Sequence, residues 1–117
     1  MKTRLYIALV TTLFISGTTT AAEFKKLEGS YAVASENIVD PAPDEKNDRL
    51  IVFIQGSAAK ETYQAMSAPP RKNSCDAAIR TKTAGGLACS RNLSRGDYQC
   101  TVGILLKSGA SVSAVTC

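Results

Sequence analysis

The clearest hydrophobic pattern in the chain is an alternation near its C-terminus. Every second residue from Tyr98 to Leu106 is apolar or a cysteine, which is the period of a β-strand that buries one face. This pattern predicts a strand over residues 98–106, followed by a turn that contains Gly109. The segment after the turn is rich in small and β-branched residues, so we expect it to return antiparallel to the strand.

The pairing of this strand with the C-terminal segment depends on the length of the turn. A three-residue loop with Gly109 in the left-handed conformation pairs Ile104 with Val112. A two-residue turn instead sets Ile104 opposite Ser113. Because a slip of one residue moves every side chain to the other face of the sheet, the better apolar match favours the three-residue loop.

A second pattern joins a buried strand to a helix. The five consecutive apolar residues within Arg49–Gln55 indicate a strand covered on both faces. After it, Ser57 can cap an amphipathic helix of about ten residues, a usual globular length. Tyr63 and Met66 lie on the apolar stripe of this helix, and Pro69-Pro70 ends it.

The remaining segments complete a small mixed fold. In chain order they are a strand at 30–38, a proline-containing acidic loop at 40–48, a basic loop at 71–74, a strand at 79–83, a turn at Gly85-Gly86 and a strand at 87–91. We therefore predict an α+β fold, with one short helix packed on a mostly antiparallel sheet and two disulfides stapling it.

The first 22 residues are typical of a secretory signal peptide. Lys2 and Arg4 precede an apolar run over 5–15, and small residues then lead to a cleavage position after Ala22, with Ala21 as the alternative. The run is shorter than the roughly 20 residues that a transmembrane helix needs, so no membrane insertion is expected after cleavage. Residues 23–117 form one small domain in this interpretation, in the periplasm or outside the cell.

Charge and composition exclude several function classes. Residues 23–117 contain 12 basic and 10 acidic residues, a balance too small to indicate binding of nucleic acid. The chain has no histidine, which removes histidine-based triads, histidine acid–base catalysis and histidine metal ligation. We expect neither a metal ion nor a cofactor.

Four cysteines follow the predicted signal peptide. An even number of cysteines in a short exported chain predicts two disulfides, and the 13, 10 and 16 residues between successive cysteines do not match zinc knuckles. A hairpin centred near Ser94-Arg95 brings Cys89 opposite Cys100, which leaves Cys75 to pair with Cys117. A Cys100–Cys117 pair is the alternative if the last turn has two residues.

Two short motifs, G-x-A-A-K-x-x-Y and L-x-C…Y-x-C, resemble those of small exported bacterial proteins of unknown function. The matching residues are Gly56, Ala58-Ala59-Lys60, Tyr63, Gly86-Leu87-Ala88-Cys89 and Tyr98-Gln99-Cys100. The resemblance covers about half of the predicted mature chain. It implies a periplasmic or secreted setting and a Cys89–Cys100 hairpin, and it implies no activity.

No catalytic constellation is visible in the sequence. Ser57 and Lys60 form an S-x-x-K motif at the predicted helix start, but the S-D-N and K-T-G motifs that accompany it in enzymes are missing. Helix capping explains Ser57 better. Asp97 lies in a predicted turn, where aspartate is common for backbone reasons.

The sequence therefore favours a non-enzymatic exported protein that binds another protein, in the manner of an inhibitor or immunity protein. Arginine is enriched at binding hot spots, so the candidate contact residues are Arg71, Lys72, Arg91 and Arg95. The alternatives are a small secreted hydrolase without histidine, tested at Asp97 or Ser57, and a structural envelope component that self-associates. The sequence indicates neither the partner nor the oligomeric state.

Overall fold

The computed structural model describes residues 16–114, and this part of the chain contains seven strands and one helix. In chain order the elements are β1 (Glu28–Ala34), β2 (Arg49–Gln55), α1 (Gly56–Ala65), β3 (Arg71–Lys72), β4 (Ile79–Ala84), β5 (Leu87–Asn92), β6 (Tyr98–Leu105) and β7 (Ser111–Val112). Residues 16–27 have no regular secondary structure and are exposed. Residues 1–15 of the predicted signal peptide lie outside the described part.

The strands form one sheet in the order β1-β2-β6-β5-β4-β3, and β7 pairs with β6. Every pair of neighbouring strands is antiparallel. The predicted α+β fold, with one helix on a mostly antiparallel sheet, is therefore confirmed.

The helix covers one face of the sheet, which we call the helix face. Ala59 is fully buried and Tyr63 is 8% exposed, and both pack against the disulfide formed by Cys89 and Cys100. Met66 adds to this cluster from the end of the helix. The predicted apolar stripe of α1 is thus confirmed, and the disulfide takes the place that large aliphatic side chains have in larger cores.

The predicted cap at Ser57 is wrong. The helix begins at Gly56, and its N-cap is Gln55, which makes no side-chain capping hydrogen bond. Gly56 has a φ of 66°, a left-handed conformation that favours glycine and lets β2 lead directly into the helix. Ser57 therefore lies inside the first turn. The length of ten residues and an end before Pro69-Pro70 are as predicted.

The opposite face of the sheet is also partly covered. Ile51 and Ala88 are buried on this face, beneath Ala114 and the loop that follows β1. Because Ile54, on the other side of β2, packs against the helix cluster, the strand has apolar contacts on both faces, as its continuous apolar sequence predicts.

The hairpins on the two sides of β6 have the same loop geometry. The N–H of Asn92 donates to the carbonyl of Asp97 and that of Leu105 to the carbonyl of Ala110, so four residues lie inside each closing bond, Leu93–Gly96 and Leu106–Gly109. In each, the final glycine has a positive φ, 77° at Gly96 and 73° at Gly109, and its N–H donates to the carbonyl four residues earlier. The hairpin predicted near Ser94-Arg95 is confirmed.

The register predicted for the C-terminal hairpin is wrong by one residue. Leu106 belongs to the loop and not to the strand, so Val112 lies opposite Gly103, and Ile104 lies opposite Ser111. A Cβ atom on Gly103 would lie 2.9 Å from Val112 Cγ2, so the glycine makes room for the valine side chain. Close packing on glycine, rather than a match of two aliphatic residues, determines this register.

Two further boundaries differ from the sequence prediction. The first strand begins at Glu28 and ends at Ala34 rather than covering 30–38, because the chain turns at Ser35, whose hydroxyl donates to the carbonyl of Asn37. Arg71 and Lys72 form the short edge strand β3 instead of a loop. The turn at Gly85-Gly86 and the strands around it are as predicted.

The Cys89–Cys100 disulfide is confirmed. The two cysteines lie directly opposite each other on β5 and β6, with their Cα atoms 4.0 Å apart. The pairing Cys75–Cys117 stays a prediction, because Cys117 lies outside the described residues.

Candidate functional site

Three basic side chains form one line across the sheet. Lys72 lies opposite Arg80, Arg80 lies opposite Arg91, and Tyr98 continues the line on the next strand. We call Lys72, Arg80 and Arg91 the cationic row. Residues directly opposite in antiparallel strands share a face of the sheet, so the row lies on the helix face with Tyr98.

Neighbouring strands are about 4.8 Å apart, so the backbone positions of adjacent members of the row are closer together than a Debye length at physiological salt, which is about 8 Å. Like charges directly opposite each other destabilise a sheet. Within residues 16–114, the ion pairs are Lys25–Glu61, Arg49–Asp48 and Arg95–Asp97, and none of them includes a member of the row. The row therefore carries an electrostatic cost that no ion pair within residues 16–114 offsets.

The members of the row differ in how firmly they are held. Arg80 Nη1 donates hydrogen bonds to the carbonyl of Ala77, at 2.7 Å, and to that of Ile79, at 3.2 Å. The guanidinium of Arg91 lies 5.8 Å from the ring centre of Tyr98, within the range of a weak cation–π contact. Lys72 is exposed on the edge strand. The row thus has an ordered centre between two more accessible cations.

A tyrosine pair lies beside the row. The rings of Tyr63 and Tyr98 pack edge to face, with their centres 5.4 Å apart. Lys82 Nζ lies 4.6 Å from the ring centre of Tyr63 and donates to the carbonyls of Tyr63 and Met66, each at 3.0 Å. Because the helix ends at these carbonyls, Lys82 stabilises the C-terminus of α1 and is not available as a fourth member of the row.

The structure separates the four candidate residues that the sequence indicated. Lys72 and Arg91 belong to the cationic row. Arg71 lies opposite Thr81 on the other face of the sheet. Arg95 lies in the exposed hairpin loop, where its Nε is 3.2 Å from Asp97 Oδ2.

Arg80 is the residue of the row that the sequence analysis missed. It lies as far before the Gly85-Gly86 turn as Arg91 lies after it, so the two-residue turn places the two arginines opposite each other. The register of β4 and β5 that follows from this turn identifies Arg80 without any information on the tertiary structure. The addition of Lys72 requires the edge strand β3, which has no clear sequence pattern.

Charge is distributed unevenly along the sheet. Residues 71–95, which include β3, β4 and β5, contain six basic residues and one acidic residue. Residues 23–48, which include β1 at the other edge, contain seven acidic and three basic residues. The sheet therefore has a positive end around the cationic row and a more negative end around β1.

The acidic loop is organised by its own carboxylates. Glu45 accepts hydrogen bonds from the backbone N–H groups of Asn37, at 2.9 Å, and Ala42, at 3.0 Å, and these bonds lower the pKa of Glu45. At the end of the loop, the hydrogen bond from Arg49 lowers the pKa of Asp48, and the same contact raises the pKa of Arg49. Glu45 thus joins two parts of the segment, whereas the contact of Asp48 is with its sequence neighbour.

The residues proposed for a hydrolase are not arranged as a catalytic pair. Ser57 lies in the first turn of α1, and its hydroxyl makes no hydrogen bond to another residue in the described range. Asp97 is exposed and paired with Arg95. Among residues 16–114, no group of three or more histidine, cysteine, aspartate or glutamate side chains could hold a metal ion.

Comparison with known proteins adds no family to this description. No protein-family model, no curated protein and no solved structure matches this chain. No helix in the part of the chain that the structure describes is both long enough and apolar enough to cross a membrane.

Proposed function

We propose that this chain is an exported, non-enzymatic binding protein that acts through contact with an acidic surface of another protein, in the periplasm or outside the cell. The observation that carries the proposal is the cationic row of Lys72, Arg80 and Arg91, which the register of three strands aligns. The predicted signal peptide, the disulfide and the resemblance to small exported proteins support the compartment.

Repulsion between the like charges of the row lowers the stability of the free protein. A protein selected only for folding would be more stable with acidic or neutral side chains opposite Arg80. Residues that break such a local rule are found most often at functional sites. An acidic partner would neutralise the repulsion when it binds. Part of the electrostatic cost in the free protein is then recovered as affinity.

The neighbouring groups suit a protein partner. Tyr98 is half-buried beside the three cations and packs edge to face on the buried Tyr63. Tyrosine and arginine are both enriched at interface hot spots. The uneven charge of the sheet would also orient the approach of an acidic partner toward the β3 end and raise its association rate.

The experiment is affinity capture from envelope and extracellular extracts with three forms of the oxidised protein. The first is the wild type. The second is Lys72→Gln/Arg80→Gln/Arg91→Gln, which removes the row. The third is the control Lys26→Gln/Lys46→Gln/Lys107→Gln, which removes the same number of exposed charges elsewhere. We expect one stoichiometric partner on the wild type and the control, and its loss from the row variant and at high salt.

Two results would contradict the proposal. Retention of the partner by the row variant would show that the contact surface lies elsewhere. Capture of no partner, together with self-association of the purified chain, would favour a structural envelope component in which the positive end of one copy meets the negative end of another.

A further inference from the structure

The face of the sheet opposite the helix contains a cavity of about 380 Å³. Its floor is formed by β2, β4, β5 and β6, and its rim by the loop after β1 and by Asn73 and Cys75 before β4. Pockets that bind small molecules have volumes of about 300–1,000 Å³, so the cavity is large enough for one small ligand.

One side of this cavity is apolar. Ile51 and Phe53 line it from β2, Ile79 lines it from β4, and Ile38 and Ala114 approach it from the rim. Ile51 and Ala114 are each 8% exposed and the other three residues are half-buried, so this side is an apolar groove that is partly open. An alkyl or aromatic group placed here would bury apolar area on several sides, which favours binding.

The other side of the cavity is polar. Gln99 and Thr101 are on the same face of β6 and line the cavity together. Neither side chain makes a hydrogen bond to another residue within 16–114, whereas the neighbouring Ser90 hydroxyl is already bonded to Thr81 Oγ1 at 2.8 Å. A carboxamide and a hydroxyl are therefore free to donate to and accept from a ligand.

The cavity also selects against charge. None of the described side chains that line it is charged. A charged ligand would lose part of its hydration on entering and would find no ionic partner there. A neutral polar group loses less and can replace its bonds to water with bonds to Gln99 and Thr101.

We propose that this cavity binds a neutral amphiphile, with its apolar part against Ile51, Phe53 and Ile79 and a hydroxyl or amide group against Gln99 and Thr101. The cavity and the cationic row lie on opposite faces of the sheet, because Ser90 and Arg91 alternate along β5. The ligand site is therefore independent of the proposed protein contact, and each can fail without the other.

The test is a titration of the isotopically labelled, oxidised chain followed by ¹H–¹⁵N NMR. The probes are octyl glucoside below the concentration at which it forms micelles, sodium octanoate as a charged probe with a similar chain, and glucose as the headgroup alone. We expect saturable shifts at Ile79, Ser90, Gln99 and Thr101 with octyl glucoside, binding of octanoate weaker by about tenfold or more, and no shifts with glucose.

Two variants test the polar side of the cavity. Thr101→Val keeps the shape and removes the hydroxyl, and Gln99→Met removes the carboxamide at similar size. Each substitution should lower the affinity for octyl glucoside by about two- to tenfold, as the loss of one hydrogen bond predicts. Gln64→Met, on the exposed side of α1, is the matched control and should leave binding unchanged. The NMR spectrum of each variant also reports whether it folds.

Three outcomes would overturn the proposal. One is the absence of saturable shifts at the cavity residues with octyl glucoside. Another is equal affinity for octanoate and octyl glucoside. The third is a set of shifts confined to exposed apolar residues of the helix face, such as Tyr31 and Val33, which would indicate nonspecific adsorption.

Discussion

The ammonium group of Lys82 on β4 lies 4.6 Å from the centre of the Tyr63 ring and 3.0 Å from the backbone carbonyl of the same residue. One side chain of the sheet thus holds both the aromatic anchor of α1 and the carbonyl groups at its end. A helix of ten residues gains little stability from its own hydrogen bonds, so it depends on such contacts with the sheet.

The first prediction concerns this contact. Lys82→Met keeps the length of the side chain and removes its charge, and we expect it to lower the free energy of unfolding by about 1–2 kcal/mol, because two charge-assisted hydrogen bonds and the interaction with the helix dipole are lost. Urea unfolding measures the change. The control Lys60→Met, on an exposed position of α1, should have an effect below about 0.5 kcal/mol. An equal loss in the two variants would contradict the role of Lys82.

The second prediction concerns the fit between β6 and β7. Gly103→Ala should destabilise the fold by about 1–3 kcal/mol, because its Cβ would lie 2.9 Å from Val112 Cγ2 and 3.0 Å from Val112 O. Adding Val112→Ala should recover part of this loss, since it removes the side-chain clash and leaves the clash with the carbonyl.

Gly86→Ala provides the contrasting case. Its Cβ would clash with backbone atoms of Val112, so Val112→Ala should not rescue it. The double-mutant cycles from urea unfolding measure both couplings. Equal rescue of the two glycine variants would show that the register between β6 and β7 differs from the one described.

The third prediction concerns the stability cost of the cationic row. Arg91→Gln removes one of the two like charges that face Arg80, and we expect it to raise the free energy of unfolding by about 0.2–1 kcal/mol at low salt. The gain should decrease at high salt, where charges are screened. Arg49→Gln removes a cation that is paired with Asp48 and should destabilise the protein instead. A loss of stability in Arg91→Gln at low salt would refute the argument from repulsion.

The fourth prediction concerns the dependence of stability on pH that Glu45 causes. The hydrogen bonds from the loop backbone lower the pKa of Glu45 in the folded state, so they contribute stability that is present above the unfolded pKa of Glu45 and is lost as the pH falls through the folded pKa. Below about pH 4.3, the ordinary glutamate pKa, we expect the free energy of unfolding of Glu45→Gln to fall less steeply with decreasing pH than that of the wild type. Urea midpoints at several pH values measure the effect.

Glu36→Gln is the control for this titration. Glu36 is an exposed carboxylate of the same segment, and it accepts no hydrogen bond in the described part of the chain. Its replacement should leave the acid limb of the stability profile unchanged. A flattening equal to that of Glu45→Gln would mean that the general charge of the loop, and not the bonds to Glu45, causes the acid sensitivity.

Much of the candidate surface could be predicted from local sequence. Two of the four predicted contact residues, Lys72 and Arg91, belong to the cationic row, and the Gly85-Gly86 turn alone places Arg80 opposite Arg91. The separation of Arg71 from Lys72 onto two faces could not be predicted, because it required the recognition of a two-residue edge strand. Short edge strands have too few residues to show a period.

The cavity on the opposite face was less accessible to sequence reasoning. Gln99 and Thr101 are recognisable as the polar side of an alternating strand, but nothing local indicates that Ile38 and Ala114 approach the same place. These residues come from segments far apart in the chain, and their meeting depends on how the loops fold over the finished sheet.

The sequence by itself determined the elements whose pattern is local. Continuous or alternating apolar residues specify β2 and β6, two prolines bound the helix, and a glycine pair and a polar loop specify the hairpins that bring Cys89 to Cys100. Only the tertiary structure decided that Val112 lies opposite Gly103, that Lys82 covers the end of α1 and that Lys72 joins the cationic row. The physical reason is that the period of a sequence pattern determines which residues share a face of their own helix or strand. The register and partner of that element depend on which contacts pack best once all elements are present.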